Sequence, residues 1–532
     1  MFSVDVCRLP ATGGSTFVVV AGVFLLVAGV IVTRWVRQSA GRMSVVAAPL
    51  VLLGGLVLAP SVTDPCVTTT TVVSTTTVAP TTTVVPVDQN LVIEIDTTVR
   101  VPVENDSVTA ADESFVFELG LWGEVDVHVD WGDGSTDNVS ADGPFPHTYA
   151  MSGQYTITVS GSLTGFGQDP LSFVLPLNGA HYLKEVRSFG ELGITSFAYA
   201  FLASVNLIDV PSKLPATVTD MSAMFAGASS FNQNINSWDT GLVTSMKGMF
   251  DGASSFNQSL NNWDTGSVTN MSNMFQGASA FNQNLNSWDT GLVTNMKGMF
   301  DGASSFDGDV SGWDTGLVTS MREMFYGASS FNGDVSGWDS GSVLTDKSYM
   351  FYRATAFNGD VSGWDTGLVS DMSHMFEGAS SFNQSVSGWD TGLVTDMRLM
   401  FNGASSFNQS LNSWDTGLVT NMRIMFTDAS SFDQSLGAWD IRMVGDMKYM
   451  LDNSALSVAN YDATLNGWAD IQQAKQPNVV LGAAGLFFSS YGASAHSELT
   501  GCGSRWQITD AGNQDVAPMS LKADSQLVTI EC

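Results

Sequence analysis

Tryptophan recurs along the C-terminal half of the chain at Trp238, Trp263, Trp288, Trp313, Trp338, Trp364, Trp389, Trp414 and Trp439. Phenylalanine keeps the same beat at Phe225, Phe250, Phe275, Phe300, Phe325, Phe351, Phe376, Phe401 and Phe426. The interval is 25 residues, with one insertion near Leu344. A unit this short cannot enclose a core of its own, so each must bury its apolar face against its neighbours. That requirement excludes an ordinary globular domain and predicts a stack of coils.

One unit, residues 268–292, reads VTNMSNMFQGASAFNQNLNSWDTGL. Its V-x-x-M-x-x-M-F string places apolar residues at i, i+3, i+6 and i+7, which predicts a two-turn helix. The following glycine, such as Gly277, suits a helix end. F-N-Q-x-L then alternates apolar and polar residues and predicts a short strand. D-T-G closes the unit as a turn. Ile194, Phe197, Ala200 and Phe201 open the series in degenerate form, and Leu451 replaces the phenylalanine at its close. The expected fold class is therefore α+β. A leucine-rich-repeat-type solenoid covers residues 166–455, with one short strand and one short helix per coil, and a cap and tail fill 456–532. With neighbouring strands ~4.8 Å apart, ten coils would make a rod roughly 45–50 Å long.

The predicted strand turns Phe256, Gln258 and Leu260 inward, and Asn257 and Ser259 outward. Continued along the stack, the outward face carries Asn257, Asn282, Asn284, Asp307, Asp309, Asn332, Asp334, Asn358 and Asp360. Amides and carboxylates in such rows could hydrogen-bond sugars, hold Ca²⁺ or attract a basic protein patch. They could equally form side-chain ladders on a solvated face. The recurring tryptophans are expected to form a core layer rather than platforms for sugar rings, and the methionine stripe to be core.

The net charge is −32, from 20 basic and 52 acidic residues. Such a chain repels phosphate backbones and anionic lipid, so nucleic acid is not an expected partner. D-T-G is also the aspartic-protease signature, but that chemistry needs two carboxylates sharing one site. Here the motif occurs seven times at coil spacing, which reads as turns. His128, His147, His181, His374 and His496 form no local cluster. With no nucleophile motif and no glycine-rich phosphate loop, no enzyme is expected, and no cofactor or metal site beyond a candidate Ca²⁺. Cys7, Cys66, Cys502 and Cys532 show no zinc spacing. Cys502 and Cys532 could close a C-terminal loop in an oxidising compartment or stand as free thiols.

The N-terminal region, residues 1–62, holds two uncharged apolar stretches, 17–32 and 45–62, each just long enough to span a bilayer. Arg34, Arg37 and Arg42 lie between them and predict a cytoplasmic loop, with both outer ends exported. A transmembrane hairpin would anchor the chain. Alternatively Met43 is the true start, and residues 45–61 act as a signal sequence whose cleavage releases the protein. Residues 63–88 form a Thr/Val/Pro-rich stalk. Residues 89–165 contain short alternating runs (LVIEI, FVFEL, VDVHVDW and YTITVSG) that predict a small all-β sandwich.

Three resemblances add to this reading. LPATGG, just before an apolar stretch and arginines, resembles a sortase sorting signal of Gram-positive bacteria. It implies Leu9, Pro10, Thr12 and Gly13 as the motif and Thr12–Gly13 as the scissile bond. The motif stands at the N-terminus, where cleavage could not anchor the rest of the chain. VDWGDGS (129–135), HTYA (147–150) and GQYTITV (153–159) resemble the PKD family of extracellular β-sandwich modules. That resemblance implies Trp131 and Tyr149 as core and Asp133 as a turn residue, and it leaves Asp130, Asp133 and Asp137 as a candidate calcium set. The MFxGASSFN and SWDTGxVTxM strings resemble the BspA-like leucine-rich-repeat surface proteins, whose repeat is also known from mycoplasmas as a domain of unknown function. ANYDATLNGWAD (459–470) and WQITDAG (506–512) are similar to that family's ending. The resemblance implies surface adhesion to an extracellular protein or carbohydrate. A passive envelope or surface-layer component is the alternative.

Overall fold

The computed structural model of the chain describes residues 26–27, 30–31, 89–99, 115–171, 174–338 and 346–515. It separates into two compact units, residues 1–82 and 83–532. In the first, β1 (Leu26–Val27) pairs antiparallel with β2 (Val30–Ile31). The rest of the two apolar stretches, the stalk and the sortase-like Leu9, Pro10, Thr12 and Gly13 lie outside the described residues. Among the described residues no helix is long and apolar enough to cross a membrane.

The second unit opens with β3 (Leu91–Asp96), β4 (Phe115–Asp130), β5 (Thr136–Val139), β6 (Gly143–Tyr149), β7 (Gln154–Phe166) and β8 (Leu183–Phe189). All pair antiparallel in one sheet ordered β5-β4-β7-β3-β8, with β6 on the first half of β4. The strands of the expected sandwich are joined into one hydrogen-bonded sheet, because the long β4 pairs with β6 over its first half and with β5 over its second. β8 also carries this sheet beyond the expected boundary at residue 165. Alternation fills the core with Leu91, Ile93, Ile95, Val127, Val129, Ile157 and Val159. Trp131 and Tyr149 are buried as expected, and the Tyr149 hydroxyl donates to the Trp131 carbonyl at 3.0 Å.

The second half of β7, which β3 does not reach, is not left as an open edge. The amides of Leu163 and Phe166 in β7 donate to the carbonyls of Leu192 and Ser196 in the first coil. A column of parallel bridges then runs Gly165, Ser196, Asp220, Ser245, Asn270, Asn295 and Ser320, and resumes from Asp346 through Asp371, Asp396 and Asn421 to Asp446. Covering a sheet edge in this way removes a template for aggregation.

Within the coils the expected helix and strand are both absent among the described residues. Where a helix was expected, the backbone alternates two kinds of hydrogen bond. The amides of Met221, Ala223, Phe225 and Gly227 donate to the carbonyls of Ser245, Lys247, Met249 and Asp251 in the next coil. The amides between them, of Met224, Ala226 and Ala228, fold back onto Met221, Ala223 and Phe225. The segment is a chain of overlapping turns that also acts as an inter-coil ladder. It needs left-handed backbone at Ala223 (φ 51°) and Gly227 (φ 70°). At the position equivalent to Gly227 a Cβ on Gly252 would meet the Gly227 Cα at 3.6 Å, an ordinary contact, so the left-handed backbone rather than space favours glycine there.

Three aromatic columns run through the stack. Phe250 lies 5.5 Å from Phe275, Phe256 lies 6.0 Å from Phe281, and Trp263 lies 6.5 Å from Trp288, each pair near-parallel. Offset ring pairs of this kind contribute about 0.5–1.5 kcal/mol each beyond burial. Every tryptophan of the stack also satisfies its indole N–H, as Trp313 does on the Leu285 carbonyl at 2.9 Å. The tryptophans are core, as expected.

The far end is closed by α1 (Val458–Ala469), β9 (Val480–Gly482), α2 (Ala493–Thr500) and β10 (Gln507–Thr509). Ser457 caps α1 by accepting from the Asn460 amide. Tyr461, Leu465 and Trp468 of α1 pack into the core, and the Thr464 hydroxyl accepts the Leu436 amide at 2.9 Å. A terminal unit with different chemistry is what a stack of coils requires for solubility. Cys502 is disulfide-bonded, and the other three cysteines lie outside the described residues.

Candidate interaction surface

The row of residues expected to face outward divides into two columns with different work. In the first, each side-chain oxygen accepts the backbone amide of the same position one coil on. Asn257 accepts from Asn282 at 2.9 Å, Asn282 from Asp307 at 2.8 Å, Asp307 from Asn332 at 2.9 Å, and Asn332 from Asn358 at 2.8 Å. Gln283 adds its amide to the Asn257 oxygen at 2.8 Å. This is the ladder reading of the row. Gln258, expected in the core, is corrected to a half-buried ladder residue that donates to Asn232, while Phe256 and Leu260 do face inward.

The second column is exposed. Asp309, Asp334 and Asp360 each accept the amide two residues on, from Ser311, Ser336 and Ser362, in tight local turns. Hydrogen bonds from Ser336 hold the Asp334 carboxyl below its ordinary value, and those from Ser362 do the same for Asp360. Asn284 accepts the Asp309 amide at 3.0 Å. The column presents negative charge at coil spacing but closes no cage. Among the described residues no group of three or more His, Cys, Asp and Glu is placed to hold a metal ion.

The candidate calcium set near the sheet is likewise dispersed. Asp130 accepts the Gly132 amide, Asp137 accepts the Trp131 indole at 2.8 Å, and Asp133 accepts from Ser135 and meets His147 at 2.9 Å. The Ser135 hydroxyl is the main reason the Asp133 carboxyl falls to about 2. These carboxylates hold a turn together.

D-T-G performs the turn it was expected to perform, with a further task for its threonine. Thr265 is buried and donates to the Asp289 carbonyl of the next coil at 2.9 Å, and Thr290 repeats this on Asp314 at 2.8 Å. The aspartates themselves, such as Asp264 and Asp289, accept the amide of their own glycine and stand exposed.

Two features escaped the sequence reading. Leu242, Leu292, Leu317, Leu368, Leu393, Leu418 and Met443, directly after D-T-G or its variant, are 45–60% exposed while the valine or threonine neighbours alternate inward and outward. The signal was present: adjacent Leu and Val in extended backbone cannot both face the core. The other is Lys347. It occupies the column that Met321 and Met372 fill in neighbouring coils, is 0% exposed, and its ammonium has no hydrogen-bond partner among the described residues.

A cleft of about 700 Å³ opens where the sheet meets the first coils, between Arg187, Phe189 and Glu191 on one wall and Lys213 and Pro215 on the other. None of the residues anticipated from sequence lies in it.

Coils of 25 residues, joined by backbone rungs and aromatic columns, define a repeat protein. A family model described as "Mycoplasma protein of unknown function, DUF285" matches residues 195–291, 283–372 and 345–468. These stretches cover just over half of the chain, which belongs to this family. No curated protein matches the chain.

Proposed function

We propose that this is a non-enzymatic cell-surface recognition protein. In this reading its N-terminal segments hold it in a bacterial membrane of the Gram-positive type, and the stalk and a PKD-like β-module carry the solenoid outward. The solenoid engages an extracellular protein or glycan. The observation that supports the reading is how the coils use their side chains. Asn257, Asn282 and Thr265 are consumed in holding coil to coil. What remains outside on most coils is a row of half-exposed leucines bordered by aspartates, an apolar surface that the packing of the coils does not use.

The test is binding of the full chain, displayed on cells, to panels of glycans, matrix proteins and other cells. The reading expects a saturable partner. Light scattering of the purified chain alone supplies the contrary outcome. Ordered self-assembly without any ligand, together with no binding in the panels, would replace recognition by a passive envelope role.

A further inference from the structure

We infer that the C-terminal part of the leucine row is a docking ridge for a cationic amphipathic α-helix of a partner protein. The inference rests on the recognition reading above and names the partner for it. Leu368, Leu393, Leu418 and Met443 stand on four successive coils and are each 45–49% exposed. Among the described residues this is the apolar position most consistently exposed from coil to coil; Leu399, Ile424 and Tyr449, the other such row on these coils, are half-buried except Tyr449. The row is held rigidly. Two residues on, the amides of Thr395, Thr420 and Gly445 donate to the carbonyls of Ser370, Thr395 and Thr420 at 2.9–3.0 Å.

Charge decides which partner fits. Three residues before each apolar side chain stands a carboxylate: Asp365, Asp390, Asp415 and Asp440. Three residues after stand Asp371, Asp396 and Asp446, with Asn421 in the remaining coil. Arg442 and Arg398 pair with Asp440 at 2.5 Å and with Asp396 at 3.3 Å. The exposed Asp390 and Asp415, which border the two central leucines, are left to a partner. The carboxylates of the D-T-G flank make the ridge complementary to leucines bordered by lysine or arginine; the other flank sets Asp371, Asp396 and Asp446 beside Arg398, Arg423 and Lys448 and is close to neutral. A second copy of this chain would oppose carboxylate to carboxylate, and an anionic bilayer would be repelled for the same reason. The earlier run, Leu292 and Leu317, is only two coils long, interrupted by Ser267 before it and Ser342 after it.

Spacing decides the partner's conformation. Hydrogen-bonded coils repeat at ~4.8 Å, close to the ~5.4 Å pitch of an α-helix. Over four coils the mismatch accumulates to only about 2 Å, so one side chain per turn can meet one leucine per coil. An extended peptide places same-face side chains ~6.8 Å apart and would slip by about 6 Å over the same distance. The fitting segment is about ten residues long, three helical turns. This is the helix-in-groove mode with the receptor supplying the periodic ridge.

The probe is a fluorescent Leu/Lys amphipathic peptide of about 14 residues, titrated with the full-length chain, with two controls: the same composition interrupted by proline, and a Leu/Glu version. The inference expects binding that weakens with salt, a gain of peptide helicity, and no binding of either control. Leu393→Ser with Leu418→Ser, and separately Asp390→Asn with Asp415→Asn, should each weaken binding at least ~10-fold, about 1.4 kcal/mol. Leu292→Ser with Leu317→Ser should change it less than ~3-fold. No binding, equal binding of the proline peptide, or equal loss in the Leu292/Leu317 variant would overturn it. If cells or proteins bind the wild type while the peptide does not, the ridge assignment falls and the recognition reading stands. If the peptide binds as described but no natural partner is found, the recognition reading falls alone.

Discussion

The ammonium of Lys347 lies 4.6 Å from the centre of the Trp364 ring, inside the column of core methionines. The ring face offers partial compensation, but no hydrogen bond from the described residues does. Burial pushes the Lys347 amine down to about 7 from its ordinary 10.5, against the pull of Asp365. In the unfolded chain the proton stays bound up to the ordinary value. Between pH 7 and 10.5 the unfolded state therefore holds more protons, and stability rises with pH across that window. Lys347→Met should stabilise the protein by about 2–4 kcal/mol at pH 7 and remove this rise. Thermal unfolding at pH 7 and pH 9.5 checks both. An unchanged pH slope in the variant would show that the slope arises elsewhere.

Asp301 has the opposite sign. Burial, aided by Glu323 and opposed by the Gln276 amide, raises its carboxyl to about 6 from 3.8. The folded chain holds the extra proton between those values, so stability falls as pH rises from 3.8 to 6. Asp301→Asn keeps an acceptor for Gln276, which donates at 2.9 Å. Because the side chain is only half-buried, screening reduces the expected gain at pH 7 to about 1 kcal/mol. Denaturation midpoints at pH 4 and pH 7 should converge in the variant.

The Asn257 oxygen serves two donors, the Asn282 amide at 2.9 Å and the Gln283 side chain at 2.8 Å. Asn257→Ala should cost about 1–2 kcal/mol in chemical denaturation and leave partner binding unchanged. Asp334→Ala, which loses only a local turn contact, should cost less, about 0.5–1 kcal/mol. A loss of binding without loss of stability at Asn257 would return this column to the interaction surface.

The stack's vertical order was legible because aromatic period survives any choice of local backbone. Phe256, Leu260 and Trp263 face inward for that reason, and for Trp131 and Tyr149 a core role was implied by the resemblance of their motifs to a known β-module. The backbone itself was not legible. Overlapping turns return to the same side every three residues, so V-x-x-M-x-x-M-F carries the same signature as a helix face. Left-handed positions would have betrayed the turns, but many hold no glycine: Glu323, Tyr349, His374, Leu399 and Ile424 all have φ between 56° and 61°. Such residues are locally strained there, and inter-coil hydrogen bonds, such as Leu399 to the Arg423 carbonyl at 2.9 Å, oppose the strain. For the outward row, both uses were open from sequence. Only the alternation of partners separates Asn282, which accepts from the next coil, from Asp334, which accepts from its own. The exposed leucines were hidden by their place beside a turn motif.

Recognition through the exposed row is tested most sharply by binding of the displayed full chain to its target cells or matrix proteins, comparing wild type with Leu393→Ser/Leu418→Ser. Both leucines are half-exposed, so the variant should melt within a degree or two of wild type. It is expected to lose at least ~90% of specific binding, a tenfold change or more. Undiminished binding by a folded variant would refute recognition through this row.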